Sequence, residues 1–167
     1  MSRRVALALG LCAALLVSGC SVHGLSFVQD DRLSLQTPSD GARVSLPLRV
    51  SWSVKDFTIT GPTGQAAAGA GYFGVFVDRP PPAPGDTVES LVRNDRSCKA
   101  IPGCPDAEFL AHRGAYTTTA TDFVLDRLAN ISTDDEHGAH DVIVVLLDGA
   151  GRRIGESAVH AEFRVAS

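Results

Sequence analysis

From Val44 to Val54 every second residue is apolar: Val44, Leu46, Leu48, Val50, Trp52 and Val54 alternate with Ser45, Pro47, Arg49, Ser51 and Ser53. Side chains of an extended chain point alternately to opposite faces, so this period gives a strand with one dry face. A dry face has to be covered by a second layer. Pro47 has no N–H to donate to a ladder, which leaves open two strands, Ala42–Leu46 and Leu48–Val54, meeting at a kink. Upstream, Leu33, Leu35 and Thr37 alternate with Ser34 and Gln36 as a short strand, and Pro38-Ser39-Asp40-Gly41 is a turn by composition. Downstream, Phe57 and Ile59 carry the extended pattern on to Thr60.

Two further runs, Tyr72–Val77 (YFGVFV) and Asp141–Leu147 (DVIVVLL), are apolar at consecutive positions. Such runs predict central strands covered on both faces. Tyr116–Thr121 is Thr-rich and β-favouring, and the pattern continues through Phe123 and Leu125 as one strand. Asp148-Gly149-Ala150-Gly151 supplies two glycines for positive φ in a turn. The return strand places Val159, Ala161, Phe163 and Val165 inward and His160, Glu162 and Arg164 outward. About seven strands result, an all-β fold of the sandwich type.

Residues 86–114 break this rhythm. The run Pro80–Gly85 (PPPAPG) predicts a stiff, polyproline-like connector leaving the sheet. Asp86 reads as a helix cap with Glu89 three residues later, followed by Val88, Leu91 and Val92 at helical spacing. Pro105-Asp106-Ala107-Glu108 opens a second short helix that buries Phe109 and Leu110. Excursions of this length are functional more often than short loops are. Two readings stand side by side: a lid sealing one open end of the sandwich, or a binding surface near Arg93, Arg96, His112, Arg113 and Tyr116.

Composition adds class and location. The chain has 167 residues, 44% hydrophobic and 20% charged, which is globular rather than disordered. The net charge is −4 and no basic run follows Arg4, which argues against a nucleic-acid surface. Ser2-Arg3-Arg4 precedes an apolar run from Val5 to Val17, about 13 residues and too short for the roughly 20 that span a bilayer. It has the form of the apolar part of a secretory signal peptide. The residues Val17-Ser18-Gly19-Cys20 then resemble the lipobox of bacterial lipoproteins. That resemblance implies cleavage before Cys20, diacylation of its thiol, and a membrane-anchored protein facing outside the cytoplasm. Removing residues 1–19 takes away Arg3 and Arg4 and no acid, so the net charge moves from −4 to −6. A body of that charge gains nothing from an anionic membrane and is expected to stand off it. The organisation is therefore a signal peptide (1–19), a lipidated cysteine with a tether (20–32) and one sandwich domain (33–167) with an insertion at about 80–114.

Four cysteines then reduce to two, because Cys12 leaves with the signal peptide and Cys20 takes the lipid. Cys98 and Cys104, in CKAIPGC, flank a Pro-Gly turn and predict a local disulfide in an oxidising compartment. A metal site with His112 as third ligand is the competing reading, but the spacing is wider than C-x₂₋₄-C.

The pattern L-x-x-P-x-D-G-A-x-V-x-x-P-x-x-V-x-W-x-V, here Leu35, Pro38, Asp40, Gly41, Ala42, Val44, Pro47, Val50, Trp52 and Val54, resembles the opening of bacterial immunoglobulin-like and fibronectin type III-like domains. The resemblance implies an immunoglobulin-like sandwich with the tryptophan between its sheets, a mostly non-catalytic role and no cofactor. For such a non-catalytic surface module the expected partner, beside the membrane that holds its lipid, is a protein or an envelope polymer. The alternative is a small exported hydrolase or metal-dependent enzyme with its site in the 86–116 insertion. The chain has no G-x-S-x-G, no H-E-x-x-H and no phosphate-loop motif in Gly61–Gly71. Asp134, Asp135 and Glu136 lack the spacing of a calcium loop.

Overall fold

The computed structural model describes residues 31–128 and 138–166. Cys20 with its lipobox, the tether as far as residue 30 and the acidic run 134–136 lie outside the described residues.

Among the described residues, nine strands form two sheets. The smaller sheet joins β1 (Leu33–Thr37), β3 (Leu48–Val54) and β7 (Asp122–Leu125) in the order β1-β3-β7, all antiparallel. The larger runs β2 (Ala42–Val44), β9 (Arg153–Val165), β8 (Ala139–Asp148), β5 (Ala70–Val77), with β4 (Thr58–Ile59) and β6 (Ala115–Thr118) sharing the far side of β5. This is a mostly-β, two-sheet sandwich.

The alternation from Val44 to Val54 divides at Pro47 into two strands, as the proline allows, and the two lie in different sheets. Chain direction changes at Pro47, and β2 pairs parallel with β9 while β3 pairs antiparallel with β1 and β7. All six apolar positions still reach one core, with Leu48, Val50 and Trp52 buried and Val44, Leu46 and Val54 packed at its margin. A proline that cannot donate to a ladder is tolerated where the chain leaves one sheet for another. The same correction applies twice more. Asp56, at φ 53°, turns the chain so that Phe57–Thr60 does not prolong β3; its strand part, β4, lies in the larger sheet. Tyr116–Leu125 is not one strand either. The Thr118 hydroxyl accepts the Ala120 N–H, and the chain crosses from β6 to β7 between sheets. These crossings raise the count from about seven strands to nine.

β5 and β8 are central, as their two-sided apolar character requires. Phe73, Val75 and Val77 with Val142, Val144 and Leu146 point between the sheets, where Phe73 meets Trp52 edge-on at 5.3 Å. Tyr72 and Phe76 with Val145 and Leu147 point to the other face, where a second apolar cluster contains Val88, Val92, Cys98 and Leu110 of the insertion. The insertion therefore covers the outer face of the larger sheet rather than an end of the sandwich. An exposed face carrying Phe76 and Leu147 would leave large apolar area in water, at about 25 cal/mol per Å².

The proline connector is strapped along this face. Arg153 Nη1 donates to the Pro82 carbonyl at 3.0 Å, the Gly85 N–H donates to the Arg153 carbonyl at 2.9 Å, and the Arg153 N–H donates to the Asp86 carbonyl at 2.9 Å. Val88–Val92 is a 3-10 helix capped at Thr87 without a side-chain bond, so Asp86 is not its cap. Helix α1 (Arg96–Lys99) and helix α2 (Ala107–Ala111) follow, and the Cys98–Cys104 disulfide is formed. The hairpin at the C-terminus turns as expected, with Asp148 accepting the N–H groups of Ala150 and Arg152, each at 2.9 Å; of its two glycines, Gly151 takes positive φ (78°).

Candidate functional site

α2 is set by local chemistry. The Asp106 carboxylate accepts the Phe109 N–H at 2.8 Å, a side-chain N-cap, and Leu110 is buried below. Gly114 then returns the chain to the sheet at φ 69°, its carbonyl accepting the Val77 N–H at 2.8 Å. A side chain there would collide with Val77, since a Cβ would lie 2.3 Å from its carbonyl oxygen.

This geometry leaves a groove of about 430 Å³ beside α2. One wall is Glu108, Ala111 and His112, on one side of the helix at spacings of three and four. The floor is Tyr116 of β6, and the opposite wall is β7 with Asp126 and Arg127 beyond it. β6 and β7 are edge strands of different sheets, so the groove lies where the sandwich is open between two edges. Tyr116 and Phe123 bridge that opening, their ring centroids 4.7 Å apart. Burial pushes the Tyr116 hydroxyl above its ordinary pKa, with Arg127 opposing. Val124, 47% exposed, stands on the free edge. His112 Nε2 lies 3.8 Å from Glu108 Oε1, too long for a hydrogen bond, and both side chains are mainly in solvent. The arrangement offers an aromatic floor with charges of both signs on its rim. That suits recognition of a polar, extended partner rather than proton transfer between held groups.

Of the five residues singled out in the sequence, the groove gathers His112 and Tyr116. Arg113 is occupied elsewhere. Its guanidinium donates to Asp95 Oδ2 from Nε at 2.9 Å and Nη2 at 2.6 Å, and lies 3.9 Å above the Phe109 ring. Asp95 also caps α1, accepting the Ser97 and Cys98 N–H groups at 2.9 and 3.3 Å. Hydrogen bonds from Ser97 and Arg113 hold this carboxyl far below the usual carboxylate range. Arg113 is thus a brace between α2 and α1. Arg93 and Arg96 are exposed on the insertion, away from the groove lining. The reading of residues missed Glu108, Phe123, Asp126 and Arg127. Helical spacing from His112 is the signal that points to Glu108, whereas Phe123, Asp126 and Arg127 have no local signal, because β7 reaches this place only through its pairing with β3.

A second polar cluster sits at the junction of β5 and β8. Asp78, at φ 53°, accepts the Asp141 N–H on Oδ1 at 2.8 Å, and its Oδ2 is 2.9 Å from His140 Nδ1. Both side chains are largely buried, 10% and 20% exposed, and the His140 ring packs on Phe163 at 5.5 Å. Burial, then the neighbouring Asp78 charge, pushes the Asp141 carboxyl up. These contacts tie the start of β8 to the end of β5. Among the described residues, no group of three or more His, Cys, Asp or Glu side chains is placed to hold a metal ion, and no helix is long and apolar enough to cross a membrane.

The chain matches no protein-family model, no curated protein and no solved structure.

Proposed function

We propose that this chain is an exported lipoprotein, anchored through Cys20, whose immunoglobulin-like sandwich binds a protein or polymer of the cell envelope without chemical turnover. The observation that carries the binding role is the groove between α2 and β7, open between two sheet edges and floored by Tyr116 and Phe123. A free edge such as β7 can accept an extended chain, and the charged rim would set its register.

Strand order supports the immunoglobulin-like reading. With β2 taken as a second segment of strand A, β4 and β6 set aside and no strand D among the described residues, β3, β5, β7, β8 and β9 stand as B, C, E, F and G, so that β1-β3-β7 follows A-B-E and β9-β8-β5 follows G-F-C. The departures are specific. Trp52 lies on the second long strand rather than on C, and the disulfide closes a loop of the insertion rather than bridging the sheets.

Two experiments test the proposal. Cys20→Ala should leave the precursor uncleaved or release the protein, with the domain folded; a cleaved variant that stays on the membrane would contradict anchoring. For the groove, mature protein is sedimented with the insoluble envelope fraction of the producing cell. Val124→Lys and Arg127→Glu, both at exposed positions, should each lower the bound fraction about tenfold, as loss of about 1.4 kcal/mol does. Unchanged sedimentation of both variants would remove the groove from the function.

A further inference from the structure

The strongest remaining feature is the disulfide-closed turn on the outer layer. Between residues 93 and 104 stand three cations, Arg93, Arg96 and Lys99, against a single acid, Asp95. That acid is already matched by Arg113. The three cations are exposed, and among the described residues none of them makes an ion pair. Next to them, at the apex of the loop, Ile101 is 52% exposed, the most exposed large apolar side chain among the described residues, followed by exposed Pro102 and Gly103. Cys98 is buried against the larger sheet, so the loop is pinned from below while its apex stays in water.

An apolar tip ringed by cations matches one surface well: an anionic bilayer, where the tip enters the headgroup layer and the cations meet phosphate. We infer that the Cys98–Cys104 loop, with Arg93, Arg96 and Lys99, is a membrane-contact element that lays the outer layer of the domain on an anionic lipid surface. Net charge argues the opposite, but charges act only within a Debye length, about 8 Å at physiological salt. Acids on the far sheet and its loops lie beyond that range, and those of the same layer, Asp86, Glu89, Asp106 and Glu108, stand outside the loop in sequence, so the cation excess belongs to residues 93–104 alone and decides there. The nearest acids in sequence outside the segment are Glu89 and Asp106, and Asp106 is engaged as the cap of α2.

The geometry permits the loop and the lipid to act together. β1 lies in the smaller sheet and the loop lies outside the larger one. Two sheets pack about 10 Å apart, and a helical layer adds about 10 Å. The residues from Cys20 to Arg32 extend at most about 3.5 Å each, roughly twice the distance needed. Tethering then raises the effective concentration of the loop at the bilayer. This cooperation rests on the anchored reading, whereas the affinity of the loop for anionic lipid does not.

The test uses the mature protein as the cell makes it, on vesicles of phosphatidylcholine alone and of phosphatidylcholine with phosphatidylglycerol in equal parts. Association with the neutral vesicles reports the anchor. Amide exchange of residues 96–104 reports the loop. Protection there should rise on the phosphatidylglycerol vesicles, fall with added salt, and vanish in the triple variant Arg93→Glu, Arg96→Glu, Lys99→Glu. If the protein carries no lipid, flotation with the same vesicles reads the loop alone. Each neutralised cation should then weaken binding about fivefold, about 10²-fold for three. Ile101→Asp should weaken it with the charge intact. Equal protection on both vesicle types, or protection produced by soluble polyphosphate but not by vesicles, would overturn the proposal. In the latter case the patch would be a polyanion site.

Discussion

Gly74 offers a sharp test of the three-layer packing. It sits mid-strand in β5, opposite Val145 on β8 and Thr117 on β6, and faces the insertion. A Cβ built there lies 2.8 Å from Phe76 Cε2 and 3.2 Å from Leu147 Cδ1. Neither atom can retreat into solvent, because both residues are fully buried. The backbone is ordinary strand, so the objection to a side chain is purely steric. Overpacking of this kind costs about 1–3 kcal/mol, and the lower entropy of the unfolded alanine chain returns about 0.4–1 kcal/mol. Gly74→Ala should therefore lose about 1–2 kcal/mol. With a urea slope near 2 kcal/mol per M, the midpoint falls by about 0.5–1 M. Trp52, the only tryptophan, reports the transition from the opposite core, so a shift in its fluorescence shows that the layers unfold together. Phe76→Leu removes the ring that the new methyl meets. The double variant should then be less destabilised than the two single changes added together, by about 1 kcal/mol. Gly74→Ala as stable as the parent, with no coupling to Phe76→Leu, would refute the packing argument.

Three further outcomes are expected. Gly114→Ala should lower stability by about 2–4 kcal/mol, since it combines positive φ with a clash against the Val77 carbonyl, and urea melts will read it. Opening the disulfide with Cys98→Ser and Cys104→Ser removes a short loop closure, about 2 kcal/mol in the chain-entropy model, and amide exchange should rise first at 96–104. Asp95→Asn should destabilise the insertion with a definite pH dependence. Its carboxyl is held below the ordinary range when folded, so its contribution is complete above about pH 4 and is lost as pH falls further. The gap between parent and variant urea midpoints should thus be constant from pH 5 to 7 and narrow toward pH 2.

Much of this protein is written in local pattern. Alternation from Leu33 to Thr37, from Val44 to Val54 and from Val159 to Val165 fixes which side chains face the core, because strand period does not depend on partners. The two-sided runs at Tyr72 and Asp141 announce that both faces of the central strands are covered. The Cys98–Cys104 pairing follows from a Pro-Gly turn between nearby cysteines, and the capping of α2 from Asp106 three residues before Phe109. Tertiary structure decided what periodicity leaves degenerate. The break at Pro47 is legible in the sequence, but a strand period does not say which sheet a strand joins, so the change of sheet there and the crossings at Asp56 and Thr119–Thr121 stayed hidden. Nor does it say which layer covers which face, and the insertion settled on the outer face of the larger sheet because Phe76 and Leu147 had to be buried there. Arg113 reads as a surface cation until Asp95, 18 residues earlier, is brought against it. The groove exists only because β6 and β7, adjacent in the chain, pair with strands of different sheets and stop short of each other.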